Sequence, residues 1–476
     1  MFLVMTSVVL TSDAQSVTVS PEISIRNNVA YDIIGRIDDR ILFYKDKGTD
    51  RSILLYDNEL VFQSERQVNL DEKRSFLYDV INLDTAFAII YGYRKDGNDI
   101  TKFDIFSNTA ELLDSMTLTI QEREWKGLDF ETVLSEDERM LALFNIESDS
   151  EMRLIVIDIN KREVITDNQF IFQGINLFDH IVQLDVANDG TFYFLAEQNN
   201  FKNRKKNHKA FIYEFPPGNS DVQEVQIPLD GIVCQDLIFS INNTTNSIGI
   251  AGLYDEKRLD ESTGYFWVMG NSRTFNQQEL KLIPFDQEIY FEVYGEKGRR
   301  RMENLRVAEI FWKADGSPLI TLEISYDISR RNGAVGYIDG TFNNPYNRSV
   351  VGGWSDHFRD DLILISLDSD NKKEWHQVFY KKQFSQNDNA VFSSFFPFIT
   401  PSRLRLIYND EIKNNSTVSE YILDGSGNYK RTSVLSTEYQ NLRLRFADAN
   451  QISSTELLVP SQKNYAVNIV KIDFSE

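Results

Sequence analysis

One cysteine, four histidines and ten prolines in 476 residues leave this chain short of several kinds of chemistry. A single thiol cannot form an intramolecular disulfide, and Cys234, inside the apolar run IVCQDLIF, reads as a small buried hydrophobe. The histidines, His180, His208, His357 and His376, are scattered, with no HExxH or paired CxxC spacing, so neither a metal centre nor a cofactor is expected. Positive charge is also scarce. A formal net charge of −22 argues against a nucleic-acid binder, because phosphate neutralisation needs a basic surface. No apolar run beyond the N-terminus is long enough to span a bilayer, and no GxSxG marks a hydrolase partner domain. The cluster of His357 with Asp356, Asp360 and Asp361 has some acid-base or hard-cation potential but reads as an exposed loop end. The adjacent pairs Glu136 and Asp137, Asp255 and Glu256, and Asp260 and Glu261 read as solvated turns, since neighbours on a strand point to opposite faces.

What the chain does have is aromatic residues, at 12%, and a recurring hairpin. Strand, tight polar turn and strand return around Asp38, Asp84, Asp137, Asp189, Asn243, Asp315, Pro401 and Asn450. The period is roughly 45 to 55 residues, the range of radial repeats. A second strand pair follows each hairpin, as in SILLYDNELVFQ and LILISLDSDNKKEWHQVF, and four antiparallel strands per unit is the pattern of a propeller blade. The expected fold is therefore all-β: a single β-propeller of about eight four-stranded blades, with seven as the alternative. The last unit stops one strand short, and Ser16 to Ile23 alternates correctly to supply that strand and close the ring.

Long departures from the repeat fall at 197–209, 254–264, 286–304 and 329–360. In a blade of strands a to d, the b-to-c and d-to-a connections share one face, so all four segments are expected on that face. Their chemistry differs from the rest of the chain. Arg204, Lys205, Lys206, Arg299, Arg300, Arg301, Arg330, Arg331, Arg348 and Arg359 form a basic island, and Tyr337, Phe342, Tyr346, Trp354 and Phe358 add rings. Arginine with tyrosine and tryptophan is the usual make-up of interface anchors, and elaborated loops on a rigid scaffold carry function. The competing reading is a set of solvated loop tips and rings packed onto the blades.

Met1 to Ser16 has a short apolar core followed by small and polar residues but no basic start; residues 1–15 are expected to be a signal peptide cleaved near Ala14 or Gln15. The segments DDLILISLD, NKKEW, KKQFSQNDNAVFSS and LRLIYND, within Asp360 to Asp410, resemble a motif of propeller-like exported proteins of Bacteroidota, departing from it at Asn371, where glycine is usual, and at Asn389. The resemblance covers about a tenth of the chain and is specific to a family, not to an activity. It implies a periplasmic protein, with the cell surface as the alternative, and it is compatible with a non-enzymatic accessory or plug-type subunit of the type IX secretion translocon.

Two functions are open at this stage. One is a non-catalytic propeller docking a protein partner, such as an outer-membrane complex, through the basic, aromatic loops. The other is a carbohydrate-binding or carbohydrate-active propeller using Asp339, Asp356 or Asp360 in catalysis or calcium binding, for which an axial pocket lined by convergent carboxylates would be the favourable observation.

Overall fold

Eight times along the chain an apolar strand folds back on a turn of Asp, Asn, Ser or Gly, and each time the resulting four-stranded antiparallel sheet becomes one blade of a ring. The computed structural model describes residues 15–475 apart from 27–28, 123–129, 199–207, 220, 230–231, 256–260, 272–274, 276–279, 296–297, 330–354, 387, 413–416, 436–438 and 440. Blade 1 shows the unit: Ala30–Ile37, Arg40–Asp46, Arg51–Asp57 and Phe62–Gln67, each hydrogen-bonded to the next. Its first turn is closed by Asp38 at φ 53°, a left-handed position that Asp tolerates better than most residues.

The ring is closed as the sequence suggested. Ser16–Val19 pairs antiparallel with Ala466–Asp473 in the register Ser16↔Asp473 to Val19↔Val470, so the N-terminal strand is the outer strand of blade 8. Ser20 continues the pairing, its hydroxyl accepting from the Ile469 N–H at 2.8 Å while its carbonyl accepts from Asn468 Nδ2 at 2.9 Å. The two ends of the chain thus meet in one sheet, which completes blade 8 and closes the ring.

Apolar side chains are not gathered at the centre. They form eight layers, each between neighbouring blades, such as Ile155 with Ala88 between blades 2 and 3, and Leu458 with Ile41 between blades 8 and 1. Alternating strand residues face opposite neighbours, which is why the central strands read as nearly continuous apolar runs. Leu362–Leu367 shows this, Leu364 serving the layer toward blade 7 while Ile363 and Ile365 serve the layer toward blade 5. Trp375 packs between blades 6 and 7 against Gly427, where a side-chain carbon would come within 2.7 Å of the indole.

Polar side chains of the inner strands tie neighbouring blades together. Asn82 Nδ2 donates to the Arg36 carbonyl, Thr132 Oγ1 donates to Asp79, and Gln183 exchanges hydrogen bonds with the Phe239 backbone. Register shifts interrupt five of these strands, at Ile33/Gly35, Leu77/Asp79, Ile181/Gln183, Cys234/Asp236 and Val307/Glu309. A bulge re-aims the side chains beside it and strengthens the twist, which suits strands lining an axis. Cys234 is fully buried, as expected.

Candidate functional site

Blade 6 departs furthest from the common unit. Its second and third strands, Pro318–Ser329 and Ser355–Leu367, run on past the blade's edge, and Gln383–Gln386, from the connection to blade 7, pairs with the projecting part of the latter. The result is a three-stranded platform on the face carrying the b-to-c and d-to-a connections. The described ends of the segments in blades 4 and 5 leave on the same face, at Gln198 and Lys209 and at Asp255 and Glu261.

Strand alternation gives the platform two unlike sides. On one, Tyr326, Phe358 and Phe384 stand side by side across the three strands, with ring centroids 4.6 Å and 5.0 Å apart. On the other, Asp327 lies directly opposite His357, whose Nδ1 is 2.8 Å from Asp327 Oδ1 and whose Nε2 is 3.1 Å from Ser355 Oγ. Arg359 Nη1 donates to the same Asp327 oxygen at 2.8 Å. Burial opposes charge on Asp327, but the hydrogen bond with His357 and the pairing with Arg359 outweigh it and hold the carboxyl well below its ordinary range. His357 and Asp356 are thus buried strand residues, not the exposed loop end expected, and Asp356 accepts from Gln386 Nε2 at 2.7 Å.

The platform's root is a buried polar network drawn from the KKQFSQNDNAVFSS motif. Lys381 Nζ donates to Glu323 Oε1 at 2.6 Å, to the Arg359 carbonyl at 3.0 Å and to Gln383 Oε1 at 3.1 Å. Gln383 Nε2 donates in turn to the carbonyls of Ser394 and Asn409, and Ser394 Oγ donates back to Glu323. A buried charge pair is tolerated when its remaining donors and acceptors are filled in this way. The motif therefore ties the platform to blade 7, and the two asparagines that depart from it, Asn371 and Asn389, sit at φ 59° and 54°, where glycine or asparagine meets the backbone's need.

Next to the platform, the 286–304 connection, read as a departure from the repeat, contains the helix Gln287–Tyr294, ended by Gly295 at φ 69°. Glu261–Ser262 pairs with Met302–Glu303, joining the blade 5 segment to this connection. Arg301 seals the joint, with Nε 2.8 Å from Asp255 and 3.4 Å from Glu261. Asp255, read from the sequence as part of a solvated turn, is fully buried because it is the acceptor that holds Arg301.

Of the residues singled out from the sequence, Arg204, Lys205, Lys206, Arg330, Arg331, Tyr337, Phe342, Tyr346, Arg348 and Trp354 lie outside the described residues. Arg299 stacks over Tyr294 at 3.9 Å, Arg300 is exposed, and Arg301, Phe358 and Arg359 are built into the platform and its neighbour. The described arginines thus fix the scaffold more than they offer free charge. Tyr326, Asp327, Lys381, Gln383 and Phe384 were missed as site residues. The available signal was the unusual length of the strands that carry Tyr326 and Asp327 and pair with them, 12 and 13 residues. Exposed rings and aliphatics border the platform at Phe291, Ile328 and Tyr380, the last donating through its hydroxyl to the Glu292 carbonyl.

Together these features define an eight-bladed β-propeller, a rigid disc whose fold is consistent with a binding role. No protein-family model and no curated protein matches the chain. Among solved structures, the WD40 domain of SCAP from fission yeast is 7% identical over 96% of this chain and 98% of its own, with a TM-score of 0.38. Polysaccharide lyase Uly1 is 7% identical over 96% and 100%, with a TM-score of 0.41, and an uncharacterised protein of Listeria monocytogenes is 9% identical over 81% and 89%, also at 0.41. Similarity at this level carries no activity across to this chain.

Proposed function

We propose that this propeller is a non-catalytic docking module, exported to the periplasm, whose platform-bearing face over blades 4 to 6 holds a protein partner such as a membrane-embedded secretion complex. One observation carries the reading: among the described residues, blade 6 alone lengthens two strands and recruits a third to build a platform. The ion pairs make that platform rigid, and rigidity lowers the cost of ordering a binding surface. Asp327 holds both His357 and Arg359, and His357 is itself buried, which supports a positioning role for this group of side chains. The Bacteroidota-like motif, which roots the platform, supports the compartment and the secretion-complex partner. No described helix is long and apolar enough to cross a membrane, so attachment to one would be through the partner.

The test is affinity capture from native membranes with the intact chain and with 330–354 replaced by a short Gly-Ser linker. Loss of the same co-purifying proteins from the linker variant is expected; an unchanged set would sink the proposal. The carbohydrate reading retains one favourable observation, a carboxylate-lined axial cavity, but the described lining of that cavity includes a single ring, Tyr31, instead of the stacked platforms sugars favour.

A further inference from the structure

At the ring's axis, the inner strands of blades 1 and 2, the turn of blade 3 and the chain entering blade 8 enclose a cavity of about 510 Å³. That is the size of a small-molecule site. Ile33, Ile34, Val80, Ile81 and Leu134 supply apolar wall. Into it the bulged inner strands bring Asp32 from blade 1 and Asp79 from blade 2, with Asp448 arriving from the short helix Phe446–Asp448.

The charges in this cavity do not balance. Arg445 is the one cationic side chain in the described lining, and it is already engaged: its Nε lies 2.5 Å from Asp448, its Nη1 donates to Gln462, and its guanidinium sits 5.7 Å from the Tyr31 ring centre. Among the described residues, Asp79 accepts from two neutral donors, Thr132 Oγ1 at 2.6 Å and the Val80 N–H at 2.8 Å. Asp32 accepts the N–H of its own neighbour Ile33 and faces Asp79 and Asp448. Asparagine at either position could keep those hydrogen bonds without the charge, so the fold does not require two acids here.

We propose that the axial cavity binds a small organic cation, a primary amine or diamine with an apolar body, placing its ammonium between Asp32 and Asp79. The apolar wall suits a hydrocarbon body better than a bare ion. Among the described residues, no group of three or more His, Cys, Asp or Glu side chains is arranged to hold a metal. Burial, then Asp79 and Asp448, push the Asp32 carboxyl up to about 7, and burial also raises Asp79. Asp79 from blade 2 and Asp448 from blade 8 act on Asp32, and the other titratable or charged groups of the described lining are Arg445 from blade 8, Tyr31 on its own strand and Glu138 from blade 3. An ammonium between the two acids lowers both proton affinities, so binding releases protons near neutral pH and weakens in acid. The inference stands apart from the docking face, which lies on other blades.

Calorimetric titration of the intact protein with cadaverine, spermidine and phenethylamine tests it, with 1,5-pentanediol as a neutral counterpart, at pH 8 and pH 6 and in two buffers of different ionisation enthalpy. At least one amine is expected to bind at pH 8, to lose affinity on the order of tenfold at pH 6 and to release protons on binding there, and to bind Asp32→Asn and Asp79→Asn at least tenfold more weakly. Asp185→Asn, which removes an inner-strand acid of blade 4 outside the cavity, should bind as the parent does and controls for folding. Failure of all three amines, equal binding of the diol, or unchanged affinity in both cavity variants would overturn the proposal.

Discussion

The platform of blade 6 and the axial channel use charge in opposite ways. On the platform and beside it, Lys381 meets Glu323, Arg359 meets Asp327, and Arg301 meets Asp255 and Glu261. Along the channel, Asp32, Asp79, Asp185 and Glu309, from the inner strands of blades 1, 2, 4 and 6, are all held above the ordinary carboxylate range, with burial as the largest cause in each case. Paired charges hold segments together and are costly to break. Half-buried acids without a counter-charge cost stability, and the structure that carries them gains when a cation arrives or the charge is removed.

That difference predicts opposite signs for two single substitutions. Lys381→Met leaves Glu323 buried without its cation, with both side chains almost wholly enclosed, and should destabilise by about 3–5 kcal/mol in denaturant titration. Asp32→Asn should do the reverse. An acid whose pKa rises from 3.8 unfolded to about 7 folded binds protons more tightly in the native state. Its contribution is therefore fully favourable below about 3.8 and is lost as pH rises to about 7. At pH 8 Asp32→Asn should stabilise by roughly 2–4 kcal/mol, with no gain at pH 3.5. Two substitutions of the same sign at pH 8 would break the contrast.

A smaller effect sharpens the picture of how the platform is set. Asn389→Gly should be neutral or stabilising by a few tenths of a kcal/mol, since the left-handed backbone there suits glycine. Asn371→Gly should instead cost about 1 kcal/mol, because Asn371 Oδ1 accepts the indole N–H of the fully buried Trp267 at 2.8 Å. Melting temperatures of the two variants, measured side by side, separate a backbone requirement from a side-chain one.

Much of the scaffold was legible because propellers are written locally. The hairpin turns from Asp38 to Pro401 announce themselves by polar residues between apolar runs, whereas Asn450 lies on a strand and the last turn falls just after it. The short last unit pointed to Ser16 to Ile23 as its missing strand, of which Ser16–Val19 makes the pairing. The site was legible only in outline. Residues Arg301 and Arg359 were visible as charges, but their partners Asp255 and Asp327 lie 46 and 32 positions away, and nothing in spacing couples them. Asp255 looked like a solvated turn and His357 like a loop end because exposure depends on what another blade segment lays over a residue.

Period, turn chemistry and residue count determined that this chain would form a ring of about eight sheets, since those signals act within a few residues of one another. Whether a given acid would be neutralised or left facing another acid was decided only by closure of the ring. Closure brings Asp32, Asp79 and Asp448, from the two ends of the chain, around one cavity, and Coulomb interactions act through space, not along the sequence.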